Sequence, residues 1–173
     1  MTRKRMRIFI ASLAVILLVG CASLEEQATD GLESAKIVFQ GEAETPNKEV
    51  NKIKLFLPSG FQIEDGSDES NIILSKGKDS FILFMNPNET QESKLYYELM
   101  MANSNANIIE EQVFEFENRF GFAAVLQNGE ESYELVTSIG GIKLTTISSE
   151  KEIANKLEQM MTILRSIQTN KEE

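Results

Sequence analysis

Between Arg119 and Ile147 the chain alternates strand-length apolar runs with turn signals so closely that an antiparallel sheet is the natural way to accommodate them. Arg119–Gln127 reads as one strand. Asn128-Gly129 follows it, and both residues accept the positive φ of a tight hairpin. Tyr133–Ile139 and 142–147 then pair across Gly140-Gly141, a second type I′ candidate. In that register Tyr133, Leu135, Ile139, Ile142 and Leu144 share one face, and Glu134, Val136, Ser138, Lys143 and Thr145 share the other. The pattern predicts one buried face and one mostly wet face.

The same grammar extends upstream. Residues 52–57 and 61–64 flank Pro58-Ser59-Gly60, where proline fixes φ and glycine tolerates φ > 0. Residues 71–75 and 80–85 read as a hairpin closed by Lys76-Gly77-Lys78-Asp79, and 108–117 as a further strand. Asn88 as N-cap, with Leu95/Leu99 and Tyr96/Met100 at i, i+4 spacing, predicts a helix over 88–102. Ser149-x-x-Glu152 opens a last helix whose Ile153, Leu157, Met160, Leu164 and Ile167 form one apolar stripe. The expected fold class is α+β, a mostly antiparallel sheet of about seven or eight strands flanked by two or three helices.

Composition narrows the chemistry. The chain of 173 residues has no histidine, one cysteine, no tryptophan and a formal net charge of −10. Without histidine the commonest general base and zinc ligand are missing, and one cysteine permits no internal disulfide. The acidic balance argues against nucleic acid as a partner. No phosphate-binding glycine loop occurs, so no cofactor is expected.

The N-terminus carries the sharpest motif. Arg3, Lys4, Arg5 and Arg7 precede residues 8–19, IFIASLAVILLV, a run without charge. As a helix this run is about 18 Å long, short of the roughly 30 Å hydrocarbon core, which fits a signal peptide. Leu18-Val19-Gly20-Cys21 resembles the lipobox of bacterial lipoproteins. That resemblance implies diacylglycerol attached to Cys21 through a thioether, then cleavage between Gly20 and Cys21. The bland alternatives are an ordinary secretory peptide ending near a cysteine and an uncleaved anchor. Cleavage would leave 153 residues at −14, since the removed segment holds four basic residues and no acidic ones. The Lys-, Glu-, Ile- and Asn-rich composition resembles low-GC Gram-positive bacteria, so the expected location is the extracytoplasmic face of the cell membrane. The expected organisation is a signal peptide over 1–20 and an acidic tether over 21–51 with a short helix near 31–40, begun by Asp30-x-x-Glu33. A single domain over 52–168 and a polar tail over 169–173 complete it.

Candidate sites divide into three kinds. Glu64, Asp65, Asp68 and Glu69 crowd carboxylates into one turn, a Ca²⁺ candidate without EF-hand spacing, for which a solvated turn is the plainer reading. Tyr96, Tyr97, Met100 and Met101 cannot all face one core and form a candidate partner patch. Glu110, Glu111, Glu115 and Glu117 line a strand whose charged face suits either solvent or a basic partner. No catalytic set emerges. Ser148-x-x-Lys151 fits capping better than serine–lysine chemistry, and a carboxylate pair for hydrolysis would need burial that sequence does not display.

Leu57-Pro58-Ser59-Gly60-Phe61, the central helix, the late meander and the closing 161–167 segment resemble the PsbP/Mog1-type α+β sandwich. That family implies an accessory or binding role. The chain also resembles the small lipoproteins of Bacillus-type bacteria. The expected function is a non-enzymatic, membrane-anchored interaction or accessory domain that engages an envelope protein or wall component. A small-ligand or Ca²⁺-binding sensor and a histidine-free carboxylate hydrolase are the alternatives.

Overall fold

The computed structural model describes residues 22–51, 53–67 and 70–169. Cys21 and the signal segment lie outside the described residues, as do Asp68, Glu69 and residues 170–173. The alternating runs build an antiparallel sheet of seven strands in the order β3-β4-β5-β9-β8-β7-β6. Its strands are β3 (Phe61–Ile63), β4 (Asn71–Lys76), β5 (Asp79–Met85), β6 (Ile108–Phe116), β7 (Arg119–Gln127), β8 (Tyr133–Ile139) and β9 (Ile142–Ser148). Gly140-Gly141 closes its hairpin with Ile139 opposite Ile142, in the expected register, but only Gly140 takes a positive φ, so the turn is not the expected type I′. Asn128-Gly129 instead begins a longer loop, closed by Asn128 N–H donating to the Ser132 carbonyl at 2.9 Å. A small second sheet pairs β1 (Lys48–Val50) with β2 (Ile53–Leu55), and β2 with β10 (Gln168–Thr169).

The expected tether is largely a helix. Helix α1 (Leu24–Gln40) starts at a capping box: Ser23 Oγ accepts from the Glu26 N–H, and the Glu26 carboxylate accepts from the Ser23 N–H. The predicted start at Asp30 falls inside the helix. Ala28, Leu32, Ala35 and Phe39 form its buried stripe and join the main core. Small residues allow close approach to helix α3 (Ile153–Ser166). A Cβ on Gly31 would stand 2.9 Å from the Ala154 Cα. Gly31 meets the start of α3, and the Gly41 carbonyl meets Arg165 near its end at 2.8 Å, so the two helices run side by side in the same direction. Among the described residues the folded unit therefore includes α1 and does not start at residue 52, and β1 and β10 draw parts of the supposed tether and tail into it.

Helices α1 and α3 cover one face of the sheet. The other face is not mostly wet: Phe120, Phe122, Ala124, Leu126 and Val136 are buried there beneath helix α2 (Leu95–Ala102). That helix is shorter than predicted. Residues 86–93 bind the β8–β9 turn and the start of β7 through their backbone: Asn86 N–H donates to the Gly141 carbonyl at 2.8 Å, Gly141 N–H to the Thr90 carbonyl at 3.2 Å, and Phe120 N–H to the Gln91 carbonyl at 2.9 Å. These bonds compete with helix formation after Asn88. Gly140 is required there, since its φ is +52° and a Cβ would collide with the Thr90 carbonyl. The last helix also departs at its start. Ser149 precedes a 3₁₀ turn (Glu150–Glu152) and makes no backbone cap: its hydroxyl donates instead to the Glu152 carboxylate at 3.1 Å, the same oxygen that faces Lys156 at 3.4 Å.

Candidate functional site

Helix α2 is pinned to the sheet by aromatic contacts. The Tyr96 ring meets Phe84 edge-on with centroids 6.0 Å apart, and Tyr97 meets Phe120 at 5.9 Å and Phe122 at 5.5 Å. Lys143 and Lys94 place their ammonium groups over Tyr96 and Phe120, at 5.1 and 4.9 Å. Burial pushes the Tyr96 hydroxyl pKa up, with Glu89 adding to it. Tyr97 is also raised, by desolvation and by Glu111, to which its hydroxyl donates at 3.4 Å.

The four patch candidates therefore separate. Tyr96 is buried, and Tyr97 and Met100 are half-buried in the packing beneath the helix. Met101 is 52 % exposed, beside Leu99 at 57 %. Leu99 escapes the sequence reading because its i+4 relation to Leu95 mimics a core stripe. Leu99 and Met101, two positions apart and so about 200° around the axis, are exposed on the two flanks of α2, with exposed Glu98 on the outer side between them.

Alongside α2 runs β6, an edge strand of nine residues. Glu115 accepts from Lys94 at 2.9 Å, an exposed pair worth little by itself. On the other side of the strand, Thr29 of α1 bonds the Glu110 carboxylate at 3.2 Å. A cleft of about 260 Å³ lies between α1 and β6, lined by Thr29, Leu32, Glu33, Glu110, Glu111 and Gln112.

A larger cleft of about 560 Å³ lies where the β4–β5 turn meets the start of α3, lined in part by Lys76, Asp79, Glu152, Asn155 and Lys156. Lys156 is its most buried charge, with a side chain 5 % exposed. Its ammonium donates to the Ile147 carbonyl at 3.2 Å and forms ion pairs with Asp79 at 2.8 Å and Glu152 at 3.4 Å. This network joins α3 to β5 and β9.

In the acidic turn, Glu64 accepts from the Ser75 hydroxyl, and Ser67 Oγ donates to the Glu64 carbonyl at 2.9 Å. Glu64 and Asp65 are exposed. Among the described residues, no group of three or more carboxylate, cysteine or histidine side chains is placed to hold a metal ion. Ser148 is buried and donates to the Ser149 carbonyl, while Lys151 is exposed. No helix among the described residues is long and apolar enough to cross a membrane.

No protein-family model matches the chain, and no curated protein matches it. Among solved structures it has a weak likeness of fold to the solution structure of cyanobacterial PsbP (CyanoP) from Synechocystis sp. PCC 6803. The TM-score is 0.42 at 10 % identity, over 74 % of this chain and 91 % of that one.

Proposed function

We propose that the chain is an extracytoplasmic lipoprotein, anchored through diacylglycerol on Cys21, whose α+β domain binds an envelope protein without catalysing a reaction. The observation that carries the binding role is the exposure of Leu99 and Met101, one on each flank of a helix whose inner side is fixed by aromatic stacking. Flexible apolar side chains on a rigid base suit partner docking, because little backbone order remains to be lost on binding.

The anchoring reading rests on Leu18-Val19-Gly20-Cys21, and the fold sharpens its consequence. Helix α1 begins at Leu24, so the lipidated residue stands three positions from a packed helix. Three residues span at most about 11 Å. The domain would sit close to the bilayer on a short leash rather than at the end of a long tether, and two acyl chains would hold it stably.

The test is site-directed photo-crosslinking in intact cells, with the probe at Leu99 or Met101 and a control probe at exposed Lys78 on the β4–β5 turn. A discrete protein adduct from the α2 positions alone is the expected result. No adduct, or the same adducts from Lys78, overturns the reading.

A further inference from the structure

We infer that the free edge of β6 receives an extended basic segment of the protein partner as an eighth strand, an assignment that rests on the interaction reading above. The backbone geometry is favourable. Phe120 of β7 spends its N–H on Gln91 and its carbonyl on Gly140, both on the side away from β6. Its cross-strand neighbour Glu115 therefore turns its own N–H and carbonyl outward, and by alternation so do Val113 and Glu111. None of these outward groups has a described hydrogen bond to another part of the chain among the described residues.

The side chains then state what the added strand must carry. Glu111, Val113 and Glu115 stand in a row on the α2 side of the strand, as acidic, apolar, acidic. Glu111 Oε2 is shielded from solvent and has no hydrogen-bond partner among the described residues. A strand reading basic-x-apolar-x-basic would set a cation against each carboxylate and an apolar side chain against half-exposed Val113. On the α1 side, Glu33 and Glu110 line the 260 Å³ cleft and favour the same sign of partner.

The row also speaks against a second copy of this chain. Two β6 edges paired antiparallel about Val113 would place Glu111 of each against Glu115 of the other, and like charges directly opposite destabilise a sheet. The carboxylates that reject a copy select a basic strand.

The probe is the peptide acetyl-Thr-Lys-Thr-Val-Thr-Lys-Thr-amide, fluorescently labelled and titrated by anisotropy into the full-length chain in neutral detergent. Saturable binding that weakens with salt is expected, with none for the version carrying Glu in place of Lys. Val113→Pro removes one outward donor without taking a bond from β7, and it should weaken binding by about tenfold or more. Glu111→Gln and Glu115→Gln should each weaken it by up to about fivefold. Unchanged binding in Val113→Pro, equal binding of the acidic peptide, or no binding at all overturns the edge assignment. So does a dimer in sedimentation that Val113→Pro dissolves. An adduct still formed at Leu99 in any of those cases leaves the interaction reading standing, and loss of that adduct is what defeats it.

Discussion

Replacing Phe39 by alanine tests whether α1 belongs to the folded unit or merely links it to an anchor. The Phe39 ring is fully buried, 5.5 Å from the Phe114 ring. It occupies the space that Gly121 leaves open, where a Cβ would come within 2.7 Å of the ring. Such a ring has rigid strand backbone beneath it, so the site cannot readily collapse once the side chain is removed. Phe→Ala at buried sites costs about 3–5 kcal/mol, against a total stability of about 5–15 kcal/mol for a domain. At about 2–4 °C per kcal/mol for a domain of this size, the melting temperature should fall by roughly 6–20 °C. Urea and thermal unfolding followed by circular dichroism read this directly. Ile37→Ala on the same helix is the control, since Ile37 is 63 % exposed and its loss should stay within about 0.5 kcal/mol. A Phe39→Ala cost below about 1 kcal/mol, or equal costs at the two positions, would refute the packing of α1 into the core.

Tyr96→Phe should be neutral or stabilising, because the Tyr96 hydroxyl is buried without a partner among the described residues and its removal relieves a desolvated dipole; a loss above about 1 kcal/mol in urea melts contradicts this. Asp79→Ala should cost about 1–3 kcal/mol by stripping the buried Lys156 of its shortest ion pair, whereas Asp79→Leu combined with Lys156→Met should recover most of the loss. Above the ordinary tyrosine pKa of 10.0 the unfolded chain releases protons that Tyr96 and Tyr97 retain when folded, since both are raised. Their stabilising contribution is therefore full below pH 10 and declines as pH rises through their folded values. Tyrosinate absorbance titrated alongside unfolding checks the sign, and stability rising across that alkaline range would contradict it.

What sequence made legible was the part governed by local rules. The Gly140-Gly141 hairpin and the Lys76–Asp79 turn follow from φ preferences and strand alternation, and both strand pairings emerge in register. Helix α1 was harder because its buried stripe uses small residues. Ala28, Gly31 and Ala35 contribute little apolar signal but let two helices meet closely. The Ser23-x-x-Glu26 box and the spacing of Ala28, Leu32, Ala35 and Phe39 were the available clues. The length of α2 was not readable, since what ends it is a set of backbone bonds to a turn some fifty residues away in sequence. The same distance hid the coverage of the second sheet face: Val136 and Ser138 look like solvent-side residues until α2 and its loop pack over the sheet. At the candidate site, the charges of β6 were legible, but their value depends on the strand being an edge, which only topology reveals.

The membrane-anchored reading meets its most direct test at the N-terminus of the protein isolated from its own membranes. Digestion after glutamate should release residues 21–25, Cys-Ala-Ser-Leu-Glu, for mass spectrometry. The account predicts that this fragment begins at Cys21 and carries the added mass of a diacylglyceryl group, with Gly20 removed. An unmodified Cys21 still joined to Gly20, or a chain beginning beyond Cys21, would contradict it.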